Sequence, residues 1–150
     1  MKTKTLTIAS LILFSFTISF SQTNSGIPFI QAKGYFVKNT FKPSSLRNCK
    51  IQSKEQFEEI FGMATVMGKD GKPTPIDFLK QFVIAVIQEE TNRTTELTPQ
   101  SIKKIKKNKM EFHFEIKTGE EQTFSTTPCL VIVVDKKYRG NIIFVPHSIK

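Results

Sequence analysis

The sequence predicts an α+β domain, a mainly antiparallel sheet with one short helix packed on it. Three observations predict it. Phe82-Val-Ile-Ala-Val-Ile87 is an unbroken apolar run of strand length, which a strand covered on both faces requires. Met110-Glu-Phe-His-Phe-Glu-Ile-Lys117 alternates strictly, with Met110, Phe112, Phe114 and Ile116 on one face and Glu111, His113, Glu115 and Lys117 on the other, the pattern of a half-buried antiparallel strand. Ser53-Lys-Glu-Gln56 is a capping box, and Phe57, Ile60 and Phe61 follow at helical spacing, so a short helix runs from Ser53 to Phe61 with Gly62 as its stop.

The chain begins before that domain. Lys2 and Lys4 form a positive head, Leu11 to Phe16 a largely apolar stretch, and Ser19-Phe20-Ser21 places small residues at −3 and −1 of a cleavage point before Gln22. Residues 1–21 therefore read as a secretory signal peptide. The run from Leu6 to Phe20 is interrupted by Thr7, Ser10, Ser15, Thr17 and Ser19 and is shorter than the ~20 apolar residues a span needs. The expectation is an extracytoplasmic mature protein, periplasmic or secreted, of about 129 residues with no membrane span. That length predicts one domain, residues 33–150, behind a flexible leader at 22–32.

After the leader, Gly34 to Phe41 reads as a first strand and Met63 to Ile76 as the longest loop, carrying Gly68, Asp70-Gly71, Pro73 and Pro75. Thr91 to Leu97 offers a further strand, and Ser101 to Lys107 fits a helical turn as well as a bulged edge strand. Thr118-Gly119-Glu120-Glu121 reads as a turn that returns Gln122 to Thr127 as a hairpin partner. Cys129 to Val134 is a second buried strand, Asp135 to Gly140 a turn, and Asn141 to Val145 closes a meander of five or six strands.

Composition narrows the chemistry. The full chain carries 22 basic and 13 acidic residues, a net charge of +9, and loss of Lys2 and Lys4 leaves +7. Such a charge favours solubility and attraction to acidic surfaces. Its densest cluster is Lys103, Lys104, Lys106, Lys107 and Lys109, with no aromatic residue from Pro99 through Met110. Nucleic-acid binding would want stacking rings among those lysines, so none is expected. The cluster reads first as a solvated edge that discourages strand-to-strand association, with acidic cell-surface polymer as the alternative partner.

No catalytic constellation stands out. His113 lies between Glu111 and Glu115 on a polar strand face, where a solvated histidine is the ordinary reading, and His147 sits in the last four residues. There is no CxxC, no HxxxH and no phosphate-cradling glycine motif, so neither a metal nor a cofactor is expected. Cys49 and Cys129 stand 80 residues apart. The compartment permits a bridge, worth about 4 kcal/mol if formed, and two buried free thiols are the alternative.

Three segments taken in order, Ile51-Gln-Ser-Lys-Glu-Gln-Phe57, Ile76-Asp-Phe-Leu-Lys-Gln-Phe-Val-Ile-Ala-Val86 and Thr126-Thr-Pro-Cys-Leu-Val-Ile-Val133, resemble the PrcB C-terminal domain family. They supply a helix start of serine, acid and phenylalanine, an acid-Phe pair leading into a buried strand, and Thr-x-Pro before the next one. The resemblance covers Cys49 to Val145 and implies a non-catalytic accessory domain of a secreted bacterial protease. The Ser19-Phe20-Ser21-Gln22 boundary is similar to that of secreted Bacteroidota proteins. An inhibitor of a secreted hydrolase, protease or lysozyme, is the second reading, and a small enzyme with a dispersed site the third. On structural grounds Asp77 should cap a turn, Phe78 enter the core and Pro128 position a strand start. Partner contact is expected on the long loop, at Met67, Lys69, Asp70, Lys72, Pro73, Thr74 and Pro75, because prolines stiffen it and its side chains mix apolar and both charge signs.

Overall fold

The apolar run at the centre of the sequence is the centre of the molecule. In the computed structural model, which describes residues 26–42, 47–64 and 71–149, it forms the strand Gln81–Ile87, in which every residue from Phe82 to Ile87 is buried. Successive side chains of a strand point to opposite faces. Phe82, Ile84 and Val86 enter one core, while Val83, Ala85 and Ile87 enter another. The strand needs cover on both sides, and the rest of the chain supplies it.

In chain order the elements are β1 (Ile30–Gln31), β2 (Tyr35–Val37), β3 (Asn48–Ile51), α1 (Lys54–Ile60), β4 (Phe61–Met63), β5 (Gln81–Ile87), β6 (Thr91–Lys106), β7 (Lys109–Thr126), β8 (Cys129–Asp135) and β9 (Asn141–Ile149). The central sheet has the order β1-β8-β5-β3, with antiparallel pairing throughout. The long hairpin of β6 and β7 joins β5 to β8, and its sheet is completed by β9, which runs parallel to β7. This second sheet closes the first core with Leu97, Ile102, Met110, Phe112 and Phe114. On the other face α1 and the two-stranded β2-β4 ribbon supply Val37, Phe57, Ile60 and Phe61. Among the described residues no helix is long and apolar enough to cross a membrane.

The architecture is therefore mainly β, with antiparallel pairing dominant, rather than a balanced α+β domain. The one helix among the described residues has seven residues, too short to be stable alone. Ser53 caps it as expected, with Oγ accepting from the Gln56 amide at 3.3 Å. The return bond of the box is displaced: Gln56 Oε1 accepts from the Gln52 amide, one residue ahead of the cap. Gly62 is not the helix stop. Phe61 already has extended dihedrals, and Gly62 pairs with Phe36 inside the ribbon.

Other expectations change for identifiable reasons. The turn placed at Thr118–Glu121 does not form: β7 continues through it to Thr126, because β6 lies alongside as partner, with register shifts on either side of Arg93. The hairpin reverses instead at Lys107 and Asn108, which a run of lysines concealed. Ser101 to Lys106 is strand, which decides the ambiguity. The first strand shrinks from Gly34–Phe41 to Tyr35–Val37. The strands do not form a simple meander, since β9 returns parallel to β7. Residues 26–32 are built into the fold: Ile27 is buried, its amide donates to the Ile102 carbonyl at 2.8 Å, and β1 pairs with β8. Residues 1–25, on which the expected signal peptide falls, lie outside the described residues.

Candidate partner-binding groove

Between α1, the β2-β4 ribbon and the segment Ile76–Phe78 lies a groove of about 480 Å³. Phe57 is the middle of its floor. On α1 it faces inward with Ile60, three residues on, and its ring meets Tyr35 edge-on at 5.0 Å, stacks on Phe61 at 4.9 Å and touches Phe78 at 5.7 Å. Four aromatic rings from four different segments thus form one apolar surface, and such contacts add to simple area burial. Lys38, Lys54 and Glu58 make the rim, with Lys54 paired to Glu58 at 3.5 Å and the Lys38 ammonium donating to the Glu58 carbonyl.

The groove ends in two exposed apolar side chains. Met63 is 69% exposed at one end. At the other a shallow depression shares Lys54, Ile76 and Phe78 with the groove and reaches Leu79, which is 89% exposed. Leu79 projects because of local chemistry: Asp77 Oδ1 accepts from the Leu79 amide at 3.0 Å, the Asp77 carbonyl accepts from the Lys80 and Gln81 amides, and Gln81 Oε1 accepts from the Asp77 amide. This side-chain-capped turn sends Phe78 inward and Leu79 outward. Asp77 and Phe78 thus take the structural roles expected of them, and Pro128 directly precedes β8, its carbonyl accepting from the Gln88 amide.

Of the loop residues expected to meet a partner, Met67, Lys69 and Asp70 lie outside the described residues. Lys72 and Pro75 are exposed, whereas Pro73 and Thr74 are half-buried. Thr74 is a tether: its hydroxyl accepts from the Lys33 amide at 2.9 Å, its amide donates to the Lys33 carbonyl at 3.0 Å, and its carbonyl accepts from the Tyr35 hydroxyl at 2.7 Å. Burial pushes the Tyr35 phenol up, which keeps it a neutral donor. Gly34, at φ +80°, lets Pro73 approach so closely that a Cβ there would lie 2.8 Å from the Pro73 Cα. The described end of the loop is thus fastened to Lys33 and Tyr35, and it gives the groove Ile76 but none of Lys72, Pro73, Thr74 or Pro75.

On comparison with protein-family models, curated proteins and solved structures, the chain matches none.

The cysteines are both free and half-buried, so the bridge weighed from the sequence is not formed. Cys49 pairs with Ala85 on one side of β5 and Cys129 with Ile87 on the other. With a strand between them their Cα atoms are two strand spacings apart, roughly 9–10 Å before any offset along the strands, beyond the ~7 Å limit of a disulfide. Burial raises both thiols, Cys129 to about 11, so neither is an activated nucleophile.

His113 is not the solvated histidine its neighbours suggest. Its side chain is only 19% exposed, its Nε2 lies 3.3 Å from Glu111 Oε2, and its Nδ1 lies 3.0 Å from His147 Nε2 with the two rings stacked. The parallel register of β9 on β7 creates this contact, which ties the C-terminal strand to its neighbour; among the described residues no group of three metal-type ligands converges. The residues missed in the sequence were Tyr35, Phe57, Phe61 and Phe78 as a shared surface. Their aromatic character was visible, but their convergence was not.

Proposed function

We propose that the mature chain is a non-catalytic extracytoplasmic binding domain that captures an apolar segment of a secreted protein, a protease being the partner that its resemblance to PrcB C-terminal domains suggests. The observation that carries this reading is the aromatic groove with an exposed methionine at one end and an exposed leucine at the other. Large apolar side chains left in water on a rigid frame gain most when a partner covers them. The mixed-charge rim of Lys38, Lys54 and Glu58 would orient the bound segment.

The test is capture from the native secretome by the mature protein, compared with Met63→Asp and Leu79→Asp variants. Both positions are exposed, so the fold should tolerate the changes, and the bound partner should be lost from both. Undiminished capture by both variants would place the interface elsewhere. Leu79 also gives specific support to the inhibitor reading, because a leucine held outward by a turn with both side-chain and backbone bonds is suited to entering a hydrolase cleft. Titrating the captured hydrolase with pure domain separates the two: an accessory domain preserves or raises its activity, and an inhibitor abolishes it at one equivalent.

A further inference from the structure

The positive charge of the chain gathers at one end of the stacked sheets. Lys104, Lys106, Lys107 and Lys109 surround the β6-β7 turn and are exposed. Lys137 and Arg139, almost thirty residues later, occupy the exposed turn between β8 and β9. The two turns are fastened together: the Asn141 amide donates to the Asn108 carbonyl at 2.8 Å, and Gly140, at φ +152°, packs so tightly on Asn108 that a Cβ would lie 2.9 Å from its carbonyl carbon. Lys50 arrives from the central sheet, donating to the Gly140 carbonyl at 3.1 Å above the Phe82 ring. Lys80 joins through the bond from the Lys136 amide to its carbonyl.

Acidic side chains do not cancel this pole. Among the described residues its one ion pair is Lys137 with Asp135, at 3.7 Å. At the opposite end of the β6-β7 hairpin the charges balance instead, with Glu89, Glu90, Glu120 and Glu121 among Lys38, Lys42, Arg47 and Arg93, and there both arginines are paired. The separation gives the molecule a strongly directional field, beyond what net charge alone supplies.

The kind of charge indicates the kind of polymer. Seven of the eight pole cations named are lysines, hydrated point charges with rotatable donors, which suit anionic groups spaced along a flexible chain better than planar bidentate recognition. Nucleic acid would want exposed rings for stacking, but the hairpin tip has none, and half-buried Tyr138 already has the Lys137 ammonium 5.1 Å from its ring centre. A membrane surface would want several large apolar side chains at the tip, and between Lys104 and Lys109 only Ile105, 43% exposed, is of that kind. We infer that this pole, spanning the β6-β7 and β8-β9 turns, is a binding site for an anionic polysaccharide, a chain of carboxylated or sulfated sugars.

The experiment measures binding of the mature protein to heparin and to polygalacturonate over a range of salt concentrations. Lys107→Glu with Lys109→Glu disables one turn, and Lys137→Glu with Arg139→Glu the other. Lys42→Glu with Arg93→Glu makes the same change in net charge at the opposite, balanced end, where Lys42 lies beside Glu89 and Glu90. Each pole variant should lose at least about tenfold in affinity and the control less than about threefold, with wild-type binding weakening as salt rises. Equal losses in all three variants would mean that overall charge acts rather than the pole, and overturn the inference. So would failure of the wild type to bind either polysaccharide, or tighter binding to single-stranded DNA or phosphatidylglycerol vesicles than to both. The groove variants Met63→Asp and Leu79→Asp should retain polysaccharide binding, which separates this site from protein capture.

Discussion

The two faces of the central sheet are built from the same strands and end in opposite conditions. On one face Phe82, Ile84 and Val86, with Leu130, Ile132 and Val134, are sealed by a second sheet of three long strands. On the other, Val83, Ala85 and Ile87, with Val131 and Val133, are covered by a seven-residue helix and a ribbon of two three-residue strands. A sheet covers a sheet along its whole length, whereas a helix of about 10 Å cannot. The aromatic side chains bridge what remains, and the groove is the part they do not fill. A binding surface can therefore arise from an undersized cover without any special motif.

The largest expected effect tests whether the faces differ in closure. Phe112→Ala removes a ring with no exposure, packed against Phe29, Phe114 and Phe144, and should cost about 3–5 kcal/mol. Phe57→Ala opens into the groove, where water and neighbouring rings can fill part of the space, and should cost about 2–3 kcal/mol. Urea denaturation of both variants checks the order. Equal losses would show that the groove face is as tightly sealed as the other.

Next in size is Gly34→Ala, which places a Cβ against Pro73 in a backbone conformation that favours glycine, and should cost about 2 kcal/mol. It should also weaken partner capture by loosening the segment that carries Ile76 into the groove. Loss of stability with capture intact would separate that segment from the site.

The thiols give a pH signature confined to the groove face. Burial favours the protonated Cys129 thiol in the folded state, raising it from 9.0 to about 11. Its contribution to stability is therefore fully present below pH 9 and is lost as pH rises from about 9 to 11, by about 2 kcal/mol. Cys129→Ala should flatten that alkaline decline in chemical denaturation measured from pH 8 to 11. An unchanged slope would show that the thiol is well solvated in the folded protein.

The smallest effect, about 1 kcal/mol, is expected for Thr74→Val, which leaves the Lys33 amide without its side-chain acceptor. Thermal unfolding resolves a change of that size, and a variant as stable as wild type would show that water replaces the hydroxyl without loss.

Local periodicity determined much of this protein before any tertiary contact is considered. The unbroken run Phe82–Ile87 required cover on two faces, the alternation of Met110–Lys117 required it on one, and Ser53 marked the helix start, because each depends on side-chain direction within a few residues. Tertiary structure alone decided which strands pair. It carried β7 through Thr118–Glu121, laid β9 parallel on β7, brought His147 to His113 and kept Cys49 from Cys129 by placing β5 between them. Pairing and register depend on the total burial of distant segments, which no local window contains. For the same reason the aromatic groove and the basic pole could be seen in the sequence only as scattered phenylalanines and lysines. Each became a surface when β2, α1, β4 and Ile76–Phe78 met on one face, and when two turns closed together at one end.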